Sequence, residues 1–217
     1  MMIQSEIDAE QSKKILTKLA DEAWQQLGQQ PLAALTLTNI DQRVGVDMSL
    51  ARAVAGDPQQ LVLRKIAAID DQSVLESFVD IEDAGEISIR EKILEALMHR
   101  FEVYAPYRAQ IRALSQAAQW RPDLGIALGI GLQNVIRRML AMAGDGCEDW
   151  RGLMRIKGVV GVVMAVVRVW IKDDSPDLAP TMKVLDRRLH QAENWAINLR
   201  LFPQSEEKAA DSGSHDV

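Results

Sequence analysis

Apolar positions recur at helical spacing along this chain, and the breaks between runs carry cap and turn residues. Residues 5–28 read as a first helix, with Ile15, Leu19, Ala23, Trp24 and Leu27 on one face and Gly28 ending it. Thr36 or Thr38 can cap a short helix, LTNIDQRV. Gly45, Val46 and Asp47 then lead into a second short helix, MSLARAV. Asp57-Pro58 places a cap and a proline at the start of a longer helix through Leu61, Ile66 and Ile69. A short helix, a glycine able to take positive φ, an apolar residue and a polar cap before another short helix make a helix-turn-helix.

Downstream, DIEDAGEI (80–87) reads as an acidic loop between head and body. Ser88 with Glu91 forms a capping box for a helix with Ile89, Ile93, Leu97, Phe101 and Tyr104 on one face. Pro106 and Trp120-Arg-Pro-Asp mark two further breaks. Helix 122–143 places Leu124, Leu128, Leu132, Val135, Ile136 and Leu140 inward. Its Gly125, Gly129 and Gly131 call for close packing or a cavity beside them. The run GVVGVVMAVVRVWI (158–171) is too short for a membrane span of about 20 residues and contains Arg168, so it predicts a helix buried on nearly all sides.

After the turn DDSPDL, Met182, Leu185, Leu189, Ala192, Ala196 and Leu199 are spaced 3, 4, 3, 4 and 3 apart. That is a narrow seam, and it marks this helix as a candidate homodimer element. The pattern divides the chain into a head (1–66), a helical body (67–202) and a polar tail (203–217) whose composition marks it as disordered. The fold class is all-α.

Composition narrows the function. The net charge of −6 and pI near 5.2 do not suggest a general nucleic-acid binder. Residues 1–66 hold seven basic and eight acidic side chains, a poor balance for meeting phosphates. One cysteine, Cys147, excludes an internal disulfide framework and any multi-cysteine metal site. The polar, acidic opening MMIQSEIDAEQ lacks the features of a secretory signal, so the expected location is the cytoplasm.

No nucleophile elbow, phosphate loop or zinc signature is present, which predicts a protein that is not an enzyme and uses no cofactor or metal. His99 with Glu95 and Glu102 has metal-ligand spacing, but charged residues on an exposed helix face are the commoner pattern. The body concentrates Met139, Met142, Trp150, Met154, Met164, Trp170 and Met182. Methionine adapts to irregular apolar volumes. The first six of these are the candidate lining of a lipid or ligand cavity.

The helix-turn-helix over residues 12–66 resembles the N-terminal domain of TetR-family proteins. That resemblance implies a three-helix head and a helical body, with Arg43, Ser49 and Arg52 as DNA contacts if the chain is a ligand-responsive regulator. Asp57 stands where those regulators usually carry a lysine.

The C-terminal half resembles a second family over residues 88–193. Ala143-Gly-Asp145, the long apolar helix, Asp174-Ser-Pro-Asp177, Thr181 and Leu185-x-x-Arg-Leu189 look like the accessory protein of coenzyme Q (ubiquinone) biosynthesis. That resemblance implies a TetR-like fold, an isoprenoid quinone-type lipid as ligand, and presentation of it to the di-iron hydroxylase of the pathway. Asp174, Ser175, Asp177, Asp186 and Arg187 would then be surface residues for that enzyme. Peripheral contact with the inner face of the membrane goes with this role.

Overall fold

The computed structural model describes residues 2–83, 87–146 and 149–199. Cys147, His215 and the tail 203–217 lie outside them. Among the described residues there are helices and no strand: α1 (Met2–Leu27), α2 (Leu37–Val44), α3 (Met48–Val54), α4 (Pro58–Asp83), α5 (Ile89–Tyr104), α6 (Arg108–Trp120), α7 (Pro122–Met142), α8 (Trp150–Trp170) and α9 (Ala179–Asn198).

Local chemistry sets the boundaries. Thr36 accepts from the Asn39 amide at 3.3 Å and so opens α2. Gly45 closes it at φ 73°, a left-handed conformation that glycine takes without steric cost. Asp47 accepts from the amides of Ser49 and Leu50 at 2.8 and 3.2 Å, and Asp57 from Gln60 at 3.0 Å. Ser88 and Glu91 cap each other reciprocally at the start of α5. The helix-turn-helix is therefore built as its sequence reads.

The division at 66–67 falls inside α4, which runs unbroken to Asp83 and so enters the stretch read as an acidic loop. Head and body share this helix. α4 packs against α1 on one side and against α5 and α7 on the other. Trp24 of α1 also meets Tyr107 edge-on, with ring centroids 5.6 Å apart. Between α4 and α5, Arg100 pairs with Asp70 at 2.8 Å, and the Tyr104 hydroxyl donates to the same carboxylate at 3.0 Å. Burial pushes the Tyr104 hydroxyl well above its ordinary pKa.

The body core is closely filled. Met139, Ile136, Leu97, Phe101, Val163, Val166 and Trp170 are all buried. Phe101 and Trp170 lie with ring centroids 5.6 Å apart. No described helix is long and apolar enough to cross a membrane.

Candidate functional site

α8 and α9 leave the core with one face uncovered. The predicted burial of 158–171 on nearly all sides is corrected here. Val159, Val162, Val163 and Val166 face inward, while Gly158, Gly161, Met164 and Arg168 face out. The first turns of α8 continue that outer stripe with Trp150 and Met154. The α9 seam is corrected too. Leu185, Leu189 and Ala196 pack into their own chain, whereas Met182 and Leu199 stay exposed. Beside Leu199 stands Trp195, exposed over 71% of its surface.

A groove of about 1020 Å³ lies along this region. Ile89, Arg90 and Ile93 of α5 form one wall, and Leu189, Ala192, Ala196 and Leu199 of α9 form another. Trp150, Met154, Gly158, Val159, Gly161 and Val162 of α8 supply the floor. The first half of α8 meets the second half of α9 across the groove, as an antiparallel pair does. At Gly158 and Gly161 an added Cβ would meet no atom within 4 Å, so both face open space. Helix-interior glycine costs roughly 1 kcal/mol against alanine. Here that cost leaves the floor wide.

The polar groups of the groove are placed unevenly. Arg155 and Asp145 are both buried at the α7–α8 end. The Arg155 Nε donates to Asp145 Oδ2 at 2.8 Å and its Nη2 to Oδ1 at 2.5 Å. Nη2 also reaches the Gly146 carbonyl at 3.3 Å. Arg90 pairs with Asp186 at 2.5 Å and Glu193 at 3.5 Å, tying α5 to α9. Arg188 stands exposed on the α9 side. The site is an apolar trough with a fixed ion pair at one end and arginines along one edge.

The predicted cavity residues separate into three groups. Trp150 and Met154 line the groove. Met139 and Trp170 belong to the packed core, and Met142 is half-buried against it. Met164 is exposed on the outer face of α8. The glycine-bearing helix beside the open volume is α8, not α7. On α7, Gly125 backs onto the Ala118 carbonyl at 3.8 Å, and Gly129 and Gly131 face open space. Arg155 and Asp145 were not singled out from the sequence as lining residues. The available signal was Arg155 in the run LMRIKGVV, on the side of the helix that also carries Ile156 and Val159, since a charge that is buried must find a partner.

The surface residues suggested for a partner enzyme sit around the α8–α9 turn. Asp174 is almost fully exposed, 3.5 Å from Arg108. Asp177 is exposed and accepts from the Ala179 amide at 3.2 Å, and Arg187 is exposed on α9. Ser175 is half-buried, and Asp186 is exposed but paired within the chain. Ser175 donates to Asp173 at 2.5 Å, and Asp186 holds Arg90. Asp173 is buried and also accepts from the Thr181 amide and hydroxyl at 2.9 and 2.5 Å. Burial would raise its pKa, but the bonds from Ser175 and Thr181 outweigh that and hold it at about 2.

The head exposes Lys13, Lys14, Lys18 and Arg64, but its acidic side chains offset its basic ones, eight against seven over residues 1–66. On α3, Ser49, Arg52 and Ala53 face solvent beside the partly exposed Met48 and Leu50. Arg52 is the one basic residue of that helix. Arg43 stands 3.6 Å from Glu22, and Lys65 pairs with Asp21 at 2.6 Å. His99, the centre of the metal-like spacing, bonds Glu76 of α4 at 2.9 Å.

No protein-family model matches the chain. No curated protein matches it either. Among solved structures, a TetR transcriptional regulator from Rhodococcus sp. RHA1 superimposes with a TM-score of 0.58, covering 85% of this chain and 97% of that one at 15% identity. The likeness is one of architecture, and with the helix order above it makes this an all-α, TetR-like fold.

Proposed function

We propose that this chain is a non-enzymatic lipid-binding accessory protein of ubiquinone biosynthesis. It binds an isoprenoid quinone precursor and presents it to the hydroxylase of the pathway. The observation that carries this reading is the α5–α8–α9 groove. Its volume is at the upper end of the roughly 300–1,000 Å³ of small-molecule sites. Its walls and floor are mostly apolar, and two α8 glycines keep it open. The resemblance over residues 88–193 supplies the ligand class, and the acidic balance of the head argues against a second role on DNA.

In this reading the chain is a homodimer through the outer faces of α8 and α9. Asp174, Asp177 and Arg187 flank the turn that the hydroxylase meets. The protein is cytoplasmic and touches the inner face of the membrane peripherally when it exchanges its lipid.

A second reading is a ligand-responsive regulator. The intact helix-turn-helix favours it, as does the name of the solved TetR neighbour. Arg43, Ser49 and Arg52 would be its DNA contacts.

The quinone profile of cells lacking the protein separates the two. Loss of ubiquinone with accumulation of a demethoxy precursor is the expected result. An unchanged profile rejects the accessory role.

A further inference from the structure

The groove is open along its outer side, and the residues that line it there are also the outer face of the α8–α9 pair. Trp150 and Trp195 are 64% and 71% exposed, Leu199 62% and Met154 39%, and all four line the groove. At about 200 Å² per large side chain they leave roughly 500 Å² of contiguous apolar surface uncovered. That is at the upper end for a monomer's largest patch, and with a polar rim it approaches the roughly 800 Å² per partner of a standard interface.

The stripe on α8 (150, 154, 158, 161 and 165) and the stripe on α9 (188, 192, 195 and 199) step by three and four. That spacing packs one helix pair on a like pair at a shallow angle. A two-fold related copy is the occupant that such a self-similar face fits.

We infer that the apolar ligand lies at the interface between two copies of this chain, each groove being closed by the other copy, so that ligand binding and dimerisation are thermodynamically linked. This rests on the reading of the groove as a lipid site. A lipid held by one chain alone would keep its outer side in water and forfeit about 25 cal/mol for each Å² left exposed. Closure by a second α8–α9 face removes that loss. The ligand in turn fills the space over Gly158 and Gly161 that no side chain of the same protomer enters. By linkage, the factor by which ligand tightens the dimer equals the factor by which dimerisation tightens ligand.

The test is sedimentation of the full-length protein over a dilution series, without and with saturating decyl-ubiquinone, alongside a direct titration of that probe. The inference predicts that the dimer dissociation constant falls by about tenfold or more with the probe. It also predicts that Trp195→Ala, at an exposed position, weakens dimer and probe binding together while leaving helix content unchanged. Should that variant lose its fold, Leu199→Ala serves in its place. Probe binding with an unchanged or weakened dimer overturns the linkage and leaves the groove reading standing. A monomeric variant that binds the probe with full affinity overturns it equally. Absence of any probe binding to the native protein overturns both.

Discussion

Arg155 grips both carboxylate oxygens of Asp145 ten residues earlier, and the pair is buried where the groove meets the α7–α8 loop. The contact does two things. It fixes Asp145, just after α7, against the first turns of α8, and it gives an otherwise apolar trough one rigid polar end. Removing one member of a buried pair leaves a charge without its compensation, at a cost of about 3–5 kcal/mol. Asp145→Ala is expected near the low end, because the Gly146 carbonyl still accepts from Arg155. Replacing both residues, with Leu at 145 and Met at 155, is expected to cost less than the single change. Denaturant midpoints of the two variants check this.

A second buried carboxylate holds the α8–α9 turn. Asp173 accepts from Ser175 and Thr181, and these bonds keep its pKa at about 2, below the ordinary 3.8. A carboxyl whose folded pKa is depressed contributes stability that is fully present above its unfolded value and lost as pH falls toward the folded one. The native protein is therefore expected to lose stability between about pH 4 and pH 2 through this group. Asp173→Asn should lower stability at neutral pH and flatten that part of the acid profile. Thermal melts at pH 6, 4 and 2.5 follow both effects. Thr181→Val, which deletes the bonded hydroxyl, should cost about 1.5–3 kcal/mol.

These two carboxylates show where sequence reasoning reaches and where it stops. Thr36, Asp47, Asp57 and the Ser88–Glu91 box are legible because a cap is decided within four residues. The helix-turn-helix follows from them. The groove depends instead on which faces of α5, α8 and α9 meet, a long-range matter that periodicity does not encode. Met139 and Met154 look alike in an apolar helical pattern, yet one fills the core and the other lines the trough. Leu185 and Leu189 read as a seam for another chain because the spacing is the same whether the partner is a second copy or α8 of the same protomer. The outer stripe of α8 had its own signal in Gly158 and Gly161, hidden among valines.

Glycines on two helices offer a contrast. Gly129 and Gly131 of α7 face open space and lie outside the groove lining, so Gly→Ala there should stabilise the fold by about 0.5–1 kcal/mol each. Gly161→Ala on α8 should stabilise the helix similarly but narrow the groove. A thermal-shift series on these variants, paired with decyl-ubiquinone titrations, separates helix propensity from ligand space.

The head makes a quantitative prediction about DNA. In the regulator reading Arg43 and Arg52 are the cations that would meet DNA on each head, and Arg43 already neighbours Glu22. With two phosphates neutralised per head, the slope of log affinity against log salt for duplex DNA should not exceed about 2 per protomer, by the usual 0.9 per phosphate. Fluorescence anisotropy on a mixed-sequence duplex between 50 and 200 mM salt measures it. Tight, steeply salt-dependent binding would favour the regulator.

The central claim is that the α5–α8–α9 groove holds an isoprenoid lipid. Mass spectrometry of organic extracts from purified native protein and from Gly161→Leu, whose side chain enters the open floor, tests it most directly. The expected result is a quinone-type isoprenoid in the native extract and its loss from a variant that remains folded. A folded native protein free of such lipid, or a variant that retains the cargo undiminished, would contradict it.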